Sequence, residues 1–183
     1  MTRARRFCLP VLIAVAAYVG ASPVARAQQA SEREYEIKAA FLYNFIKFID
    51  WPTDILPATS DTLAVCVLSD DPFGAALEPL RDKVVKGRRL AIRRVEPKEA
   101  LGLCHVLFVG SAEEKRLPQL MQNLQGASVL TVGEMERFGQ AGGIINFVVE
   151  RNRIRFEINV ASAERARLKL SSQLLSLARL VRQ

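Results

Sequence analysis

The stretch from Glu34 to Pro52, EYEIKAAFLYNFIKFIDWP, constrains the fold more than any other part of the chain. At about 100° per residue, Ile37, Phe41, Leu42, Phe45, Ile46, Phe48 and Ile49 gather on one broad arc, with Glu36, Tyr43, Asn44, Lys47 and Asp50 opposite. A helix with so wide an apolar face is built to dock on a core. Pro52 cannot continue the helix and biases Trp51 away from helical geometry, so a stop is predicted there. Lys38 is out of pattern, a cation inside the apolar arc. Its stem is expected to lie on the core while the ammonium snorkels to water near the helix end.

The partner for that helix is sought among apolar runs. Thr62 to Leu68 and Cys104 to Val109 read as buried strands, as does Ala127 to Val132. Arg88 to Val95 mixes β-branched residues with arginines, the composition of a strand near a sheet edge. Between these runs, Asp71 with Pro72 after it is expected to cap a helix reaching about Asp82, with a break at Pro79. Ser111 with Glu114 reads as a capping box opening a helix to near Gly126, restarted at Pro118. Ile144 to Glu150 and Arg153 to Val160 flank Arg151-Asn152 as a hairpin. In its second strand, Ile154, Phe156, Ile158 and Val160 alternate with Arg153, Arg155, Glu157 and Asn159, so one face meets water. Ser171 is expected to cap a last helix to Arg182, with Arg179 and Arg182 at its dipole's negative end. The predicted fold is α/β: a single domain with a mixed β-sheet flanked by helices on both faces.

Residues 1–27 combine a basic start, an apolar run from Phe7 to Val19 and the small-residue pattern Ala25-Arg26-Ala27. That is the pattern of a signal peptide cleaved before Gln28, leaving residues 28–183 as one exported domain. The apolar run is shorter than the roughly 20 residues of a membrane span. The leader carries four arginines and no acids, so its removal lowers the net charge from +7 to +3. A weakly basic domain with no basic run gives no footprint for nucleic acid.

Two cysteines remain after the leader, Cys66 and Cys104, each in a strand-like apolar run. An even count in an oxidising compartment points to a bridge if the two runs are neighbours in one sheet; otherwise they are two buried thiols. No catalytic residues emerge. His105, the only histidine, has one cysteine beside it and no other ligand near enough for a metal, and reads as a satisfied core or edge residue. The Gly139–Gly143 loop leads into a strand, unlike phosphate-cradling loops, which lead into a helix. Asp70 and Asp71 read as turn and cap residues. The expectation is therefore a protein that is not an enzyme and has no metal site and no cofactor.

The helix ending KAAFLYNFIKFIDWP, the strand VCVLSDDPFG, the segment CHVLFVG and the run GGIINFVVERNRIRFEINVASAERARLKLSSQLLSLA together resemble the YfiR-like periplasmic proteins. The resemblance implies a small α/β protein of the periplasm, a possible homodimer, that regulates without chemistry of its own. It implies binding to the periplasmic sensor domain of an inner-membrane diguanylate cyclase, which is held inactive. Release through redox misfolding, or through capture by an outer-membrane lipoprotein, would let cyclic di-GMP rise and favour biofilm. Cys66 and Cys104 match the family's long-range cysteine pair; the further close pair of some members is missing between Gly142 and Val160. Family members also occur beside sensor histidine kinases, which are the alternative partners. The surface expected to bind the partner is Arg153, Arg155 and Glu157 with the adjoining Leu168 and Leu170. A second reading is a solute-binding module with its ligand at the strand ends, near Ser69–Gly74 and Ser111.

Overall fold

The computed structural model describes residues 23–181, with side chains from Gln28. The first part of the expected leader, including Cys8, lies outside the described residues. In chain order the elements are α1 (Pro23–Phe48), β1 (Ile49–Asp50), β2 (Thr62–Leu68), a 3-10 segment (Gly74–Leu80), β3 (Val84–Val85) and β4 (Arg88–Val95). A 3-10 turn (Leu101–Leu103) precedes β5 (Val106–Val109), and a 3-10 segment (Ser111–Arg116) runs into α2 (Leu117–Asn123). There follow β6 (Leu130–Gly133), β7 (Ile145–Glu150), β8 (Arg153–Ile158), α3 (Val160–Arg165), β9 (Lys169–Leu170), α4 (Ser172–Leu177) and β10 (Arg179–Leu180). Among the described residues no helix is long and apolar enough to cross a membrane.

Eight strands form one mixed sheet in the order β10-β8-β7-β6-β5-β2-β4-β3. The five strands β4, β2, β5, β6 and β7 are parallel; β3 and β8 join antiparallel at either side, and β10 adds to β8 in parallel. β2 is a continuous apolar run because both of its faces are covered. Val65 and Val67 point to the core under α1, as do Val106, Phe108, Leu130 and Val132. Cys66 and Leu68 point to the second core under α2, with Leu107, Val109, Leu120 and Phe138. The expected helices on both faces are thus present.

On the first face α1 lays down Leu42, Phe45 and Ile46, with Ile49 just beyond its end, all 1% exposed or less. Phe45 meets Phe156 edge-on at 4.9 Å and Phe147 at 5.7 Å; burying one such ring contributes roughly 1.5–3 kcal/mol. The helix differs from expectation at both ends and at two positions. It begins before Glu34, so Gln28 to Arg33 is an exposed helical extension. It ends at Phe48 because Ile49 leaves it to pair with Leu170 in the two-stranded ribbon β1–β9. Ile37 is 43% exposed instead of docked. Lys38 does not snorkel: it is 3% exposed.

Other boundaries also move. Asp71 caps no helix; its Oδ1 accepts from the Phe73 amide in a local turn, and the segment that follows is 3-10. The Ser111–Glu114 box does not form, since Gly110 holds the cap position and the first turns are 3-10. Ser171 does cap α4, its Oγ accepting from the Leu174 amide, but the helix stops at Leu177. Arg179 belongs to β10 and Arg182 lies outside the described residues. Asn159 is not on a wet face: it is 1% exposed and caps α3 by accepting from the Ser162 amide.

Candidate functional site

In open α/β sheets ligands bind at the carboxyl ends of the strands, where the strand order reverses. Here that point lies between β2 and β5, since the chain moves from β2 to β4 on one side and to β5 on the other. It is filled by the protein's own side chains. Phe73 stacks edge-on against Phe108 at 4.6 Å and against Tyr35 at 5.2 Å. Beside it Lys38 Nζ reaches Glu134 Oε2 at 2.6 Å and Glu34 Oε1 at 2.5 Å, under the Tyr35 ring. Glu134 is positioned by the end of β6 and Lys38 by the apolar face of α1, so the pair fastens helix to sheet. Tyr35 Oη donates to Glu134 at 3.0 Å. Burial, then the Glu134 carboxylate, push the Tyr35 phenol well above its ordinary value. Sequence reasoning missed this cluster; a cation in an apolar arc was the signal, and its acidic partner is about 100 residues away in the chain.

On the opposite face of the same sheet the structure joins Cys66 and Cys104 in a disulfide, with Cα atoms 5.9 Å apart. Both sulfurs lie in the α2-side core, 1% and 4% exposed. His105, next along the chain, takes the Ala64 amide on Nδ1 at 3.0 Å, while its carbonyl accepts from Trp51 Nε1 at 3.1 Å. Burial holds its imidazole below the ordinary value, with Arg88 and Arg93 adding to the effect against a backbone bond at Ile55. It is a structural histidine that spaces β2 from β5. Asp71 Oδ2 binds Arg94 at 2.6 Å. Among the described residues no group of His, Cys, Asp and Glu is clustered to hold a metal.

The expected partner surface is divided by the sheet. Arg153, Arg155 and Glu157 alternate with Phe156 and Ile158, which pack under α1, so the three face the α2 side. Arg153 and Arg155 are exposed there. Glu157 is half-buried and bound at 2.5 Å by Arg179, which also holds Glu150 at 3.0 Å. One guanidinium on β10 therefore bridges both acids of the hairpin. Arg151, Arg153 and Arg155 have no ion pair among the described residues. The turn between the strands is tight, Arg151 and Asn152 both at positive φ (49° and 61°), as a two-residue hairpin with native twist requires. Leu168 and Leu170 are on the other side of the sheet. Leu168 is 4% exposed in the α1-side core, and Leu170 is half-buried against it and tied to Ile49. Burial takes Leu168 out of any contact surface, and the arginine face stands without either leucine.

The fold and these sites define an α/β domain with Phe73, Phe108 and Tyr35 packed at the strand ends and a basic hairpin exposed at one side of the sheet. The chain belongs to the YfiR/HmsC-like family, whose sequence model matches residues 35–179. Among solved structures it is similar in fold to a conserved domain protein from Vibrio cholerae, with a TM-score of 0.52 and 11% identity over 81% of this chain. It spans 60% of the length of that protein. An ABC domain in complex with L-Trp from Streptococcus pneumonia overlaps 70% of this chain and 59% of its own, at a TM-score of 0.48 and 11% identity.

Proposed function

We propose that the protein is a periplasmic regulatory binding protein that inhibits an inner-membrane diguanylate cyclase by binding its periplasmic sensor domain. The observation that carries this is membership of the YfiR/HmsC-like family across nearly all of the described chain, which supports a periplasmic regulator of diguanylate cyclase at the level of the family. Residues 1–27 serve as the export signal and are removed. The protein acts by shifting an equilibrium, so it must bind one arrangement of the sensor better than another.

The docking surface is the α2-side face of the β7–β8 hairpin. A rigid hairpin with three unpaired arginines is suited to an acidic partner surface, because its own two carboxylates are held by Arg179 and compete for none of them. The test is titration of the purified protein with the isolated sensor domain. Arg153→Glu with Arg155→Glu is expected to weaken binding at least about tenfold and to flatten its salt dependence, with unchanged thermal stability since both side chains are exposed. Binding equal to wild type in the double variant rejects this surface; absence of binding by the wild type rejects the partner.

A further inference from the structure

A cleft of about 300 Å³ opens where the carboxyl end of α1 and β1 pass the amino end of β2. Its walls are Ile46, Ile49, Trp51, Leu56, Leu63 and Val85, none more than 9% exposed. The volume is at the small end of ligand pockets, about 300–1,000 Å³. Two cations stand at the cleft, Lys86 and Arg88. They are fixed by the β3–β4 turn, whose central residues Lys86 and Gly87 are both at positive φ (51° and 77°), the geometry of a tight hairpin.

The two cations differ in what balances them. Lys86 Nζ donates to Asp50 Oδ1 at 2.5 Å and to the Ile49 carbonyl at 2.8 Å. Arg88 meets no carboxylate among the described residues. Its Nη1 donates to the Lys86 carbonyl at 3.1 Å, and its Nη2 to the carbonyls of Pro57 at 2.9 Å and Leu56 at 3.3 Å. Its Nε is buried without an acceptor. Buried donors are nearly always paired, and a charged one most of all. An unbalanced guanidinium at an apolar wall is suited to an anion that carries its own apolar body.

We infer that this cleft is a binding site for a small organic monoanion, an aromatic or short aliphatic carboxylate. The carboxylate pairs with the Arg88 guanidinium at the cleft wall, and the body lies against Trp51 and Leu56. The indole N–H is committed to the His105 carbonyl, so Trp51 presents ring surface and no donor. One unbalanced cation suits one negative charge better than the two of a phosphate ester. The site lies apart from the arginine hairpin and does not rest on the regulatory reading.

The test is calorimetric titration of the purified protein with phenylacetate, with hexanoate and with uncharged phenylacetamide. Both carboxylates are expected to bind, and the amide to bind about tenfold more weakly or less. Arg88→Gln should lose carboxylate binding by a similar factor. Since Arg88 also ties down the 56–57 loop, Ala58→Trp supplies an independent check. Ala58 lines the cleft from an exposed position, so an indole there fills the mouth without entering the core. It should abolish carboxylate binding at unchanged melting temperature, while Arg155→Gln binds as wild type. No heat from either carboxylate up to about 10 mM, equal binding of the amide, or undiminished binding by Ala58→Trp overturns the assignment.

Discussion

Lys38→Met isolates the fastening of α1 to the sheet. The ammonium is buried with Glu134, whose side chain is 9% exposed, and shares its second bond with Glu34, which is 37% exposed. Removing one member of a buried pair costs about 3–5 kcal/mol, because the other charge is left desolvated. Two features set the expected value at the low end, about 3 kcal/mol: Glu134 keeps the Tyr35 hydroxyl at 3.0 Å, and methionine restores most of the apolar contact of the lysine stem. For a domain of this size each kcal/mol moves the melting temperature by about 2–4 °C, so a fall of roughly 6–12 °C is expected. The double variant Lys38→Met with Glu134→Leu removes both charges and should recover to within about 1 kcal/mol of wild type, since apolar replacement of a whole buried pair is often neutral. Urea unfolding followed by Trp51 fluorescence reads both variants. A single variant within about 0.5 kcal/mol of wild type, or a double variant no more stable than the single, would refute the reasoning.

Three further outcomes are expected. Cys66→Ser should lower stability by roughly 3–4 kcal/mol, the chain-entropy value for a 38-residue separation, and mass spectrometry of unreduced wild-type protein should show no free thiols at Cys66 and Cys104; two alkylatable thiols would contradict the bridge. His105 is held neutral, with its folded pKa below the unfolded value of 6.5, so its contribution is complete above that value and is lost as pH falls through the folded pKa; in His105→Gln the slope of stability against pH below about 6.5 should be smaller, and an unchanged slope would assign the acid sensitivity elsewhere. A Cβ on Gly133 or Gly143 would lie within the Phe138 ring, which is fully buried; Gly143→Ala should therefore cost about 1–3 kcal/mol by overpacking, read by thermal melting, and a neutral result would mean that the ring can move aside.

What the sequence makes legible here are features fixed by local pattern. β2 and β4 occupy the expected residues because apolar or β-branched runs bounded by turns leave little choice. The hairpin follows from two-residue alternation around Arg151-Asn152, and the apolar arc of α1 from its period. What stays hidden is long-range. Ile49 leaves its helix for Leu170, and Arg179 leaves its helix for Glu157, pairings across about 121 and 22 residues that local propensity does not report. The same holds for Lys38 and Glu134. The Asp71 and Ser111 caps fail for a local reason instead: Asp71 takes the Phe73 amide and Arg94, and the Ser111 segment winds as 3-10, so neither oxygen meets the orphan amide a cap requires. Of the residues expected at a partner surface, strand alternation places Arg153 and Arg155 on one exposed face, whereas Leu168 and Leu170 pack on the other side of the sheet, which no local pattern reports.

The most direct test of the regulatory account is intracellular cyclic di-GMP in cells with and without this protein, each with the partner cyclase present and then deleted. The account predicts that cyclic di-GMP rises when the protein is lost and that the rise vanishes when the cyclase is also absent. Cyclic di-GMP unchanged by loss of the protein, with the cyclase present and active, would contradict it.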